Sequence, residues 1–426
     1  MPSRSKWTVL TFIAAHNDLG AAGLARRSFD QIIGVGSTPD VTHGVLIDTH
    51  AGAGRYVVGA PGLALQQELI GPIDSGDPDC LARTATWLFS EFPAEHYALV
   101  LWSHGSGWQP EEIESITQRS SPAPRPHPPR EFVERSAGPG SRALFRTSVA
   151  QMMSPASAKE RAILFDDGTG HSLDTLELAR AMKLVREAIG QPLDLLGMDA
   201  CLMASLEVAY ELRDSVRCLV ASPELVPGHS WPYDAIFNVL RADPQVAPID
   251  LAQRIVAAYA DYYAANPPGP GDVTKVALDL DRIGELAQAW DALAAALLRY
   301  VTRDAEAIWK AQIETRKRET RDGKRRPSKF DYHLWDLGAL SAAIAMPGVD
   351  QAGRDAATRV SRALQVGQGP VLLHRHLGEW LDGTAGVSVY AAMPGGTTLS
   401  SAYARLALAR DTRWAAFLNE YHSVFS

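Results

Sequence analysis

Two short apolar runs, each ending in a turn of small and polar residues, constrain the fold of this chain more than any other feature. Residues 99–108 read LVLWSHGSGW, and residues 193–203 read LDLLGMDACLM. Each run has the length and composition of a buried β-strand. The first turn carries His104 and the second carries Cys201. Because side chains at the carboxyl ends of strands meet in one crevice of an open α/β sheet, the two turns predict a base beside a nucleophile.

Strand patterns alternate with helix patterns along the first half of the chain. The predicted strands cover residues 7–15, 43–49, 97–103, 161–165, 193–198 and 218–222. The predicted helices lie between them, over residues 20–33, 80–92, 174–189 and 202–212. Asp174 and Glu177 occupy capping-box positions at the start of one of these helices. The alternation predicts an α/β fold with a mostly parallel sheet that helices cover on both faces.

The last part of the chain is rich in helical patterns. Residues 282–300 form an Ala- and Leu-rich helical pattern, and residues 275–280 and 386–391 are two further candidate strands. We expect a catalytic domain over residues 1–250 and a helix-rich C-terminal extension over residues 251–426. The extension either packs on the same sheet or forms a small second lobe.

Composition excludes several classes of protein. The chain has 426 residues and a formal net charge of −8, so binding to nucleic acid through overall charge is not expected. No window approaches the roughly 20 apolar residues that span a bilayer. The three cysteines, Cys80, Cys201 and Cys218, do not make a disulfide framework. Because a predicted strand already begins at residue 7, we find no room for a secretory signal and expect a cytoplasmic protein.

A cysteine and a histidine on neighbouring turns suit nucleophilic catalysis. A thiol with the ordinary pKa of about 8.5 is mostly protonated at neutral pH, so a histidine base has to take its proton. We expect Cys201 to be exposed at the start of the helix over 202–212, whose N-terminus favours a thiolate. A buried structural thiol is the alternative, and we keep that interpretation for Cys80 and Cys218. A serine hydrolase is a disfavoured alternative, because no G-x-S-x-G pentapeptide occurs in the chain.

The order of these motifs resembles the clostripain-like family, which belongs with the caspases, legumain and gingipain to one clan of cysteine peptidases. The resemblance covers most of the chain outside residues 109–160 and about 316–329. It is carried by WTVLTFIAAHNDL at 7–19, ILFDDGTGHSLDTLEL at 163–178, and DACLMASLEVAYEL, VASPELVPG and WPYDAIF within 199–237. The resemblance implies a caspase-like fold and a cysteine endopeptidase with a dyad of His104 and Cys201.

Two further roles are implied by the same resemblance. Gly105 would donate its N–H to the oxyanion. Asp199 would lie at the base of the specificity pocket and pair with a substrate arginine, or less well with a lysine. An N-capping aspartate is the alternative for Asp199. Some family members have a second pocket acid near a Pro-Gly turn, where this chain has His229. The expected substrates are proteins with exposed Arg or Lys.

Residues 109–160 lie between the two turns and contain eight prolines and six arginines. Such a segment cannot bury enough surface to offset the entropy of ordering it. Clostripain-like zymogens are cut between the histidine and the cysteine, which makes this insertion the predicted activation loop; an ordinary surface insertion is the alternative. The candidate cleavage sites are Arg130, Arg135, Arg142 and Arg146, whereas a proline follows Arg125 and blocks cleavage there.

The predicted chemistry requires no cofactor and no catalytic metal. Calcium activates some members of the family, and Asp166 and Asp167 are the oxygen-rich pair that we single out for it. An upstream activating protease and a role in a bacterial defence or regulated-death cascade are further expectations. The alternative function is a caspase-like scaffold that binds without catalysis. The presence of both His104 and Cys201 favours the enzyme.

Overall fold

A nine-stranded sheet forms the centre of the protein. The computed structural model describes residues 4–108, 163–267, 273–317, 333–394 and 402–425. The strands in these ranges are β1 (Ser5–Ala15), β2 (Val41–Thr49), β3 (Gly52–Val58), β4 (Ala64–Gly71), β5 (Ala94–Trp102), β6 (Ile163–Asp166), β7 (His171–Leu173), β8 (Leu193–Asp199), β9 (Val216–Ala221), β10 (Val273–Asp279), β11 (Leu334–Asp336), β12 (Val371–Leu377) and β13 (Ser388–Tyr390). The α-helices are α1 (Asp18–Ala21), α2 (Leu24–Val35), α3 (Pro78–Glu91), α4 (Thr175–Ile189), α5 (Leu206–Leu212), α6 (Tyr233–Ala242), α7 (Pro248–Ala265), α8 (Ile283–Lys317), α9 (Leu337–Ile344), α10 (Gln351–Ala363), α11 (Ala407–Asp411) and α12 (Trp414–Val424).

The strand order of the sheet is β12-β10-β9-β8-β5-β1-β2-β3-β4. The inner strands β9, β8, β5, β1 and β2 run parallel to one another. Antiparallel strands close both edges, with β3 and β4 at one side and β10 and β12 at the other. The inner strands are apolar along most of their length because both of their faces are buried. The predicted α/β fold with a mostly parallel sheet is confirmed.

Each face of the sheet has its own hydrophobic core. Leu99 and Leu101 of β5 point into the core beneath helices that include α3, α4, α5 and α8. Val100 and Trp102 point into the opposite core, beneath α2, α6 and α7. Successive residues of a strand face opposite sides, so one short apolar run supplies both cores. Among the helices of the described residues, none is long and apolar enough to cross a membrane.

Two predicted helices begin or break at other residues than expected. The pattern over 20–33 is divided into α1 and α2 at Gly23, whose φ of 76° lies in the left-handed region that favours glycine. The pattern over 202–212 becomes helical only at Leu206, because Ser205 is the N-cap and its hydroxyl accepts the N–H of Val208 at 3.3 Å. The predicted capping box of α4 is present.

Strands from both halves of the chain build the sheet. β10 and β12 extend it, whereas the predicted strand over 386–391 appears as β13, which pairs with β11 in a separate two-stranded sheet. The predicted strand over 161–165 likewise lies outside the main sheet, because β6 pairs with β7. The backbone N–H of Ser388 in β13 donates to the carbonyl of Ala204 at 2.9 Å, so β13 lies against the turn that follows β8. The domain boundary between residues 250 and 251 stays a prediction.

Glu207, in α5, joins the first half of the chain to the C-terminal segment. Its carboxylate is fully buried and accepts the backbone N–H of Tyr390 at 2.9 Å and the hydroxyl of Tyr403 at 3.1 Å. Burial raises the pKa of Glu207 from its ordinary value of 4.5 to about 7. The stability associated with the protonated carboxyl is therefore complete below pH 4.5 and is lost as the pH rises through 7.

We expect Glu207→Gln to remove this pH dependence, because glutamine keeps the accepting oxygen and cannot ionise. The difference in the free energy of unfolding between the variant and wild type should rise in favour of the variant by up to about 3 kcal/mol from pH 5 to pH 8.5. Denaturant unfolding at both pH values measures the gain. Glu211→Gln is the matched control, since Glu211 lies in the same helix, is partly buried and accepts the backbone N–H of Ala407. A stability difference between Glu207→Gln and wild type that is the same at both pH values would contradict the prediction.

Candidate active site

His104 and Cys201 leave the sheet from neighbouring strands at matching positions. β5 and β8 pair in parallel, and the last pair in their register is Trp102 opposite Asp199. His104 and Cys201 each follow the last paired residue of their strand by two positions. The register therefore places both residues at the same end of the sheet, where the carboxyl ends of two adjacent strands lie side by side.

Gly105 allows the two turns to approach each other closely. A Cβ atom on Gly105 would lie 2.4 Å from the carbonyl oxygen of Cys201 and 2.9 Å from the Cβ of Ala200. Any larger residue would have to push the backbone of the second turn aside, so the approach requires glycine. Gly105 also forms an isolated antiparallel bridge with Ile163, at the start of β6.

The turn that carries Cys201 is held by the loop that follows β9. The N–H of Leu202 donates to the carbonyl of Glu224 at 3.1 Å, and the N–H of Val226 donates to Sγ of Cys201 at 3.2 Å. A backbone donor directed at the sulfur stabilises negative charge on it. Leu202 has a φ of 64°, which is uncommon for a residue with a side chain and is the kind of backbone strain found at functional sites. The expected helix start beside Cys201 is wrong, because α5 begins only at Leu206.

Both side chains are buried in this conformation. His104 is 1% exposed and Cys201 is 2% exposed, so the prediction of an exposed cysteine is wrong. The C-terminal segment packs against the turn after β5: the ring of Trp108 lies edge-on to the rings of Tyr390 and Tyr403, with centroids 4.7 Å apart in each pair. A peptide cannot reach either His104 or Cys201 unless the conformation changes.

Asp18 is the site residue that the sequence analysis did not identify. Nε2 of His104 lies 2.6 Å from Oδ1 of Asp18. Asp18 follows β1, which lies on the side of β5 opposite to β8, and its side chain is a quarter exposed. In the sequence, Asp18 is a carboxylate three residues beyond the end of a predicted strand. Only the strand order of the folded sheet shows that this strand lies beside β5. The carboxylate sets the orientation of the imidazole ring.

The carboxylate of Asp199 is fixed by donors from the loop before α6 and from the first residue of that helix. Its Oδ2 accepts the hydroxyl of Ser230, the N–H of Trp231 at 3.0 Å and the hydroxyl of Tyr233 at 3.0 Å. Its Oδ1 is buried and has no hydrogen-bond partner within the described ranges of the chain. The N-cap alternative for Asp199 is wrong, because Ser205 caps the next helix. Oδ1 is thus a buried acceptor that a donor on a ligand would satisfy.

A buried lysine faces the same region from β10. Lys275 is 0% exposed, and its Nζ lies 4.5 Å from the ring centre of Tyr259 and 5.2 Å from that of Trp231. Burial lowers the pKa of Lys275 to about 8, and negative charge on Asp199 or Cys201 acts in the opposite direction. Burial raises the pKa of Asp199, and the charge of Lys275 opposes that rise.

The other two cysteines have the character of core residues. Cys80 and Cys218 are buried, and burial raises the pKa of their thiols to about 11 and about 12. Both thiols are therefore fully protonated at neutral pH and unreactive. The prediction that Cys80 and Cys218 are buried structural thiols is confirmed.

One group of potential metal ligands occurs within the described residues. His16, Asp48 and Asp166 place one ligand atom each within 4.8 Å of the others. Nδ1 of His16 lies 3.1 Å from Asp166, and burial raises the pKa of Asp48 to about 6. Asp166 of the pair singled out for calcium belongs to this group, whereas Asp167 is exposed and does not. A set of one histidine and two carboxylates suits a transition metal better than calcium, which takes six to eight oxygen ligands. A requirement for calcium stays a prediction.

The predicted cleavage sites lie outside the described residues. Arg130, Arg135, Arg142 and Arg146 all belong to residues 109–162, for which no structure is described. Processing at these residues stays a prediction.

Comparison with known sequences identifies the family. The model of the clostripain family, peptidase C11, matches residues 64–120 and 151–325, which is more than half of the chain. The unmatched residues between these two segments lie inside the insertion. Clostripain from Hathewaya histolytica is 27% identical over 175 residues, or 39% of this chain. That match spans only 25% of the length of clostripain.

Solved structures share the fold over nearly the whole chain. A secreted C11 cysteine protease from Bacteroides thetaiotaomicron bound to an irreversible peptide inhibitor is 19% identical, with a TM-score of 0.60 over 98% of this chain and 99% of that one. The protease iotapain from the same organism is 16% identical, with a TM-score of 0.64 over 96% of this chain and 99% of its own. An inactive zymogen C11 protease from Parabacteroides distasonis is 16% identical, with a TM-score of 0.60 over 97% of this chain and 99% of that one. The family match includes both strand-end turns, at residues 99–108 and 193–203. The chain belongs to the clostripain family of cysteine peptidases.

Proposed function

We propose that the protein is a cysteine endopeptidase in which Cys201 is the nucleophile and His104 the general base. The observation that carries this proposal is the register of β5 and β8, which brings His104 and Cys201 to one edge of the sheet. Nε2 of His104 is engaged by Asp18, so Nδ1 is the ring nitrogen that takes the proton of the thiol.

The proposed reaction uses the groups that surround the two turns. The thiolate of Cys201 attacks the carbonyl carbon of the scissile bond, and Gly105 donates its N–H to the resulting oxyanion. His104 returns its proton to the amine nitrogen as the C–N bond breaks, which leaves a thioester on Cys201. Water then attacks the thioester and His104 again takes a proton, which regenerates the thiol and releases the acid.

We propose that Asp199 selects a basic side chain before the scissile bond. Its Oδ1 lacks a partner within the described part of the chain, so a substrate cation would satisfy it. Arginine is favoured over lysine because a guanidinium is more weakly hydrated and loses less on burial than an ammonium. The substrates would then be proteins with exposed Arg or Lys.

We also propose that the protein is a zymogen, activated by cleavage within residues 109–160. The burial of both His104 and Cys201 supports this, since a substrate cannot reach them in the conformation described. One of the similar structures is itself an inactive zymogen. An arginine-rich segment between the two turns is a suitable place for the cut.

We expect Cys201→Ala and His104→Ala each to reduce kcat/KM on peptidyl-arginine amides by roughly 10⁴-fold or more, since each removes one member of a unit that acts together. Fluorogenic peptide assays measure the loss. Cys80→Ala is the control for removing a thiol, and His376→Ala is the control for removing an imidazole; both should stay active. An active Cys201→Ala variant would exclude covalent catalysis at this residue. A wild-type protein that is folded, processed and inactive would favour the scaffold alternative.

We expect Asp18→Asn to reduce kcat by roughly ten- to a thousand-fold and to leave KM nearly unchanged, because the amide no longer holds the imidazole by charge. Steady-state kinetics with a peptidyl-arginine substrate separate the two parameters. Asp30→Asn removes a carboxylate that pairs with Arg26 on the nearby helix α2 and serves as the control. Should Asp18→Asn retain full kcat, the contact with His104 has no part in the reaction.

Cleavage within 109–160 should give two fragments that purify together, because the paired strands β5 and β8 lie on opposite sides of the cut. Intact mass over time, with wild type beside Cys201→Ala, distinguishes self-cleavage from cleavage by another protease. Replacing every Arg and Lys in residues 109–160 should leave a folded and inactive protein. If that uncut variant has wild-type activity, the segment is an ordinary insertion.

A further inference from the structure

Lys275 carries a charge in the interior that the proposed reaction does not use. It lies in the strand VTKVALD of β10, between neighbours that point into the apolar cores. Its Nζ has no hydrogen-bond partner within the described ranges. An ammonium group that is fully removed from water needs a compensating negative charge nearby.

That compensating charge is the carboxylate of Asp199. Val276 of β10 pairs with Ala221 of β9, and Gly197 of β8 pairs with Val220 of β9. Continued by one and two residues, these registers place Lys275 and Asp199 opposite the same residue, Ser222, so the two side chains lie in one row across three adjacent strands. Both side chains face the same core, the one that contains Trp231 and Tyr259. Asp199 is the strongest opposite charge acting on Lys275, and Lys275 is the strongest charge acting on Asp199.

The two charged groups are close enough to interact and do not form a direct ion pair. Within the described residues, no ion pair of 4 Å or less joins them, and each retains an atom without a hydrogen-bond partner: Nζ of Lys275 and Oδ1 of Asp199. The aromatic rings of Tyr259 and Trp231 hold the ammonium instead. A substrate cation that approaches Oδ1 would therefore meet the positive charge of Lys275 as well.

We propose that Lys275 is a specificity-determining residue, a resident cation that competes with the substrate side chain for Asp199. This inference rests on the proposed role of Asp199 in selecting the substrate. With one negative and one positive group, the pocket carries no net charge. It therefore favours a charged arginine over an uncharged side chain of the same shape less strongly than Asp199 alone would.

The test compares two peptide substrates that differ only in the residue before the scissile bond, arginine or its uncharged isostere citrulline. We expect the processed wild-type protein to prefer arginine by less than about tenfold in kcat/KM. Lys275→Met removes the resident cation and should raise this preference by about tenfold or more. Arg375→Met is the matched control, because Arg375 lies directly opposite Lys275 on β12 and is exposed; it should leave the preference unchanged.

Asp199→Asn separates a failure of this inference from a failure of the proposed function. If the preference of the wild type for arginine is the same in Asp199→Asn, Asp199 does not select the substrate and the proposed specificity is wrong. If Asp199→Asn abolishes the preference while Lys275→Met leaves it at the wild-type value, the role of Asp199 stands and that of Lys275 is overturned.

Two further results would also overturn the role of Lys275. In the first, Lys275→Met lowers kcat/KM by the same factor on both substrates and also slows the alkylation of Cys201 by iodoacetamide. That result would mean that the lysine acts on the sulfur. A wild-type preference for arginine above about 100-fold would mean that the pocket is not neutral, and this measurement needs no variant. Lys275→Gln, which keeps a polar end, provides the comparison if Lys275→Met does not fold.

Discussion

The parallel pairing of β5 with β8 is the interaction on which the rest of the site depends. The two strands are adjacent in space but separated by 90 residues of chain, and their register sets the relative position of His104 and Cys201. The contact is tight enough that Gly105 has no room for a Cβ atom. A slip of one residue in this register would turn every side chain of a strand to the other face, so the two buried cores hold the site geometry in place.

Ionisable groups in the interior connect the site to distant segments. Asp199 is held by the loop before α6 and faces Lys275 from β10, and Glu207 accepts hydrogen bonds from Tyr390 and Tyr403 of the C-terminal segment. Each of these charged or polar contacts joins parts of the chain that lie far apart in sequence. The C-terminal segment is therefore part of the structure around the site.

The sequence was most informative where structure is determined locally. The apolar run of β8 and the small residues after it located Cys201, and the capping box located the start of α4. Asp18 could not be recognised, because its role depends on β1 lying beside β5, and strand order is a property of the whole sheet. Lys275 was also missed, because its burial depends on tertiary packing. A single lysine in an apolar strand resembles a solvent-facing residue, and only the packing of Trp231 and Tyr259 shows that it is buried.

The order of the strands has a consequence for how a processed molecule behaves when it is heated. β1, β2 and β5 come from the chain before the insertion and β8, β9 and β10 from the chain after it, yet all belong to one continuous sheet. Once the chain is cut, unfolding releases two separate polypeptides, and refolding becomes a second-order reaction between them. Each piece would then expose half of a hydrophobic sheet with an unpaired edge, which favours aggregation over recovery. The persistence of the active form would thus be governed by the rate at which it unfolds and not by an equilibrium.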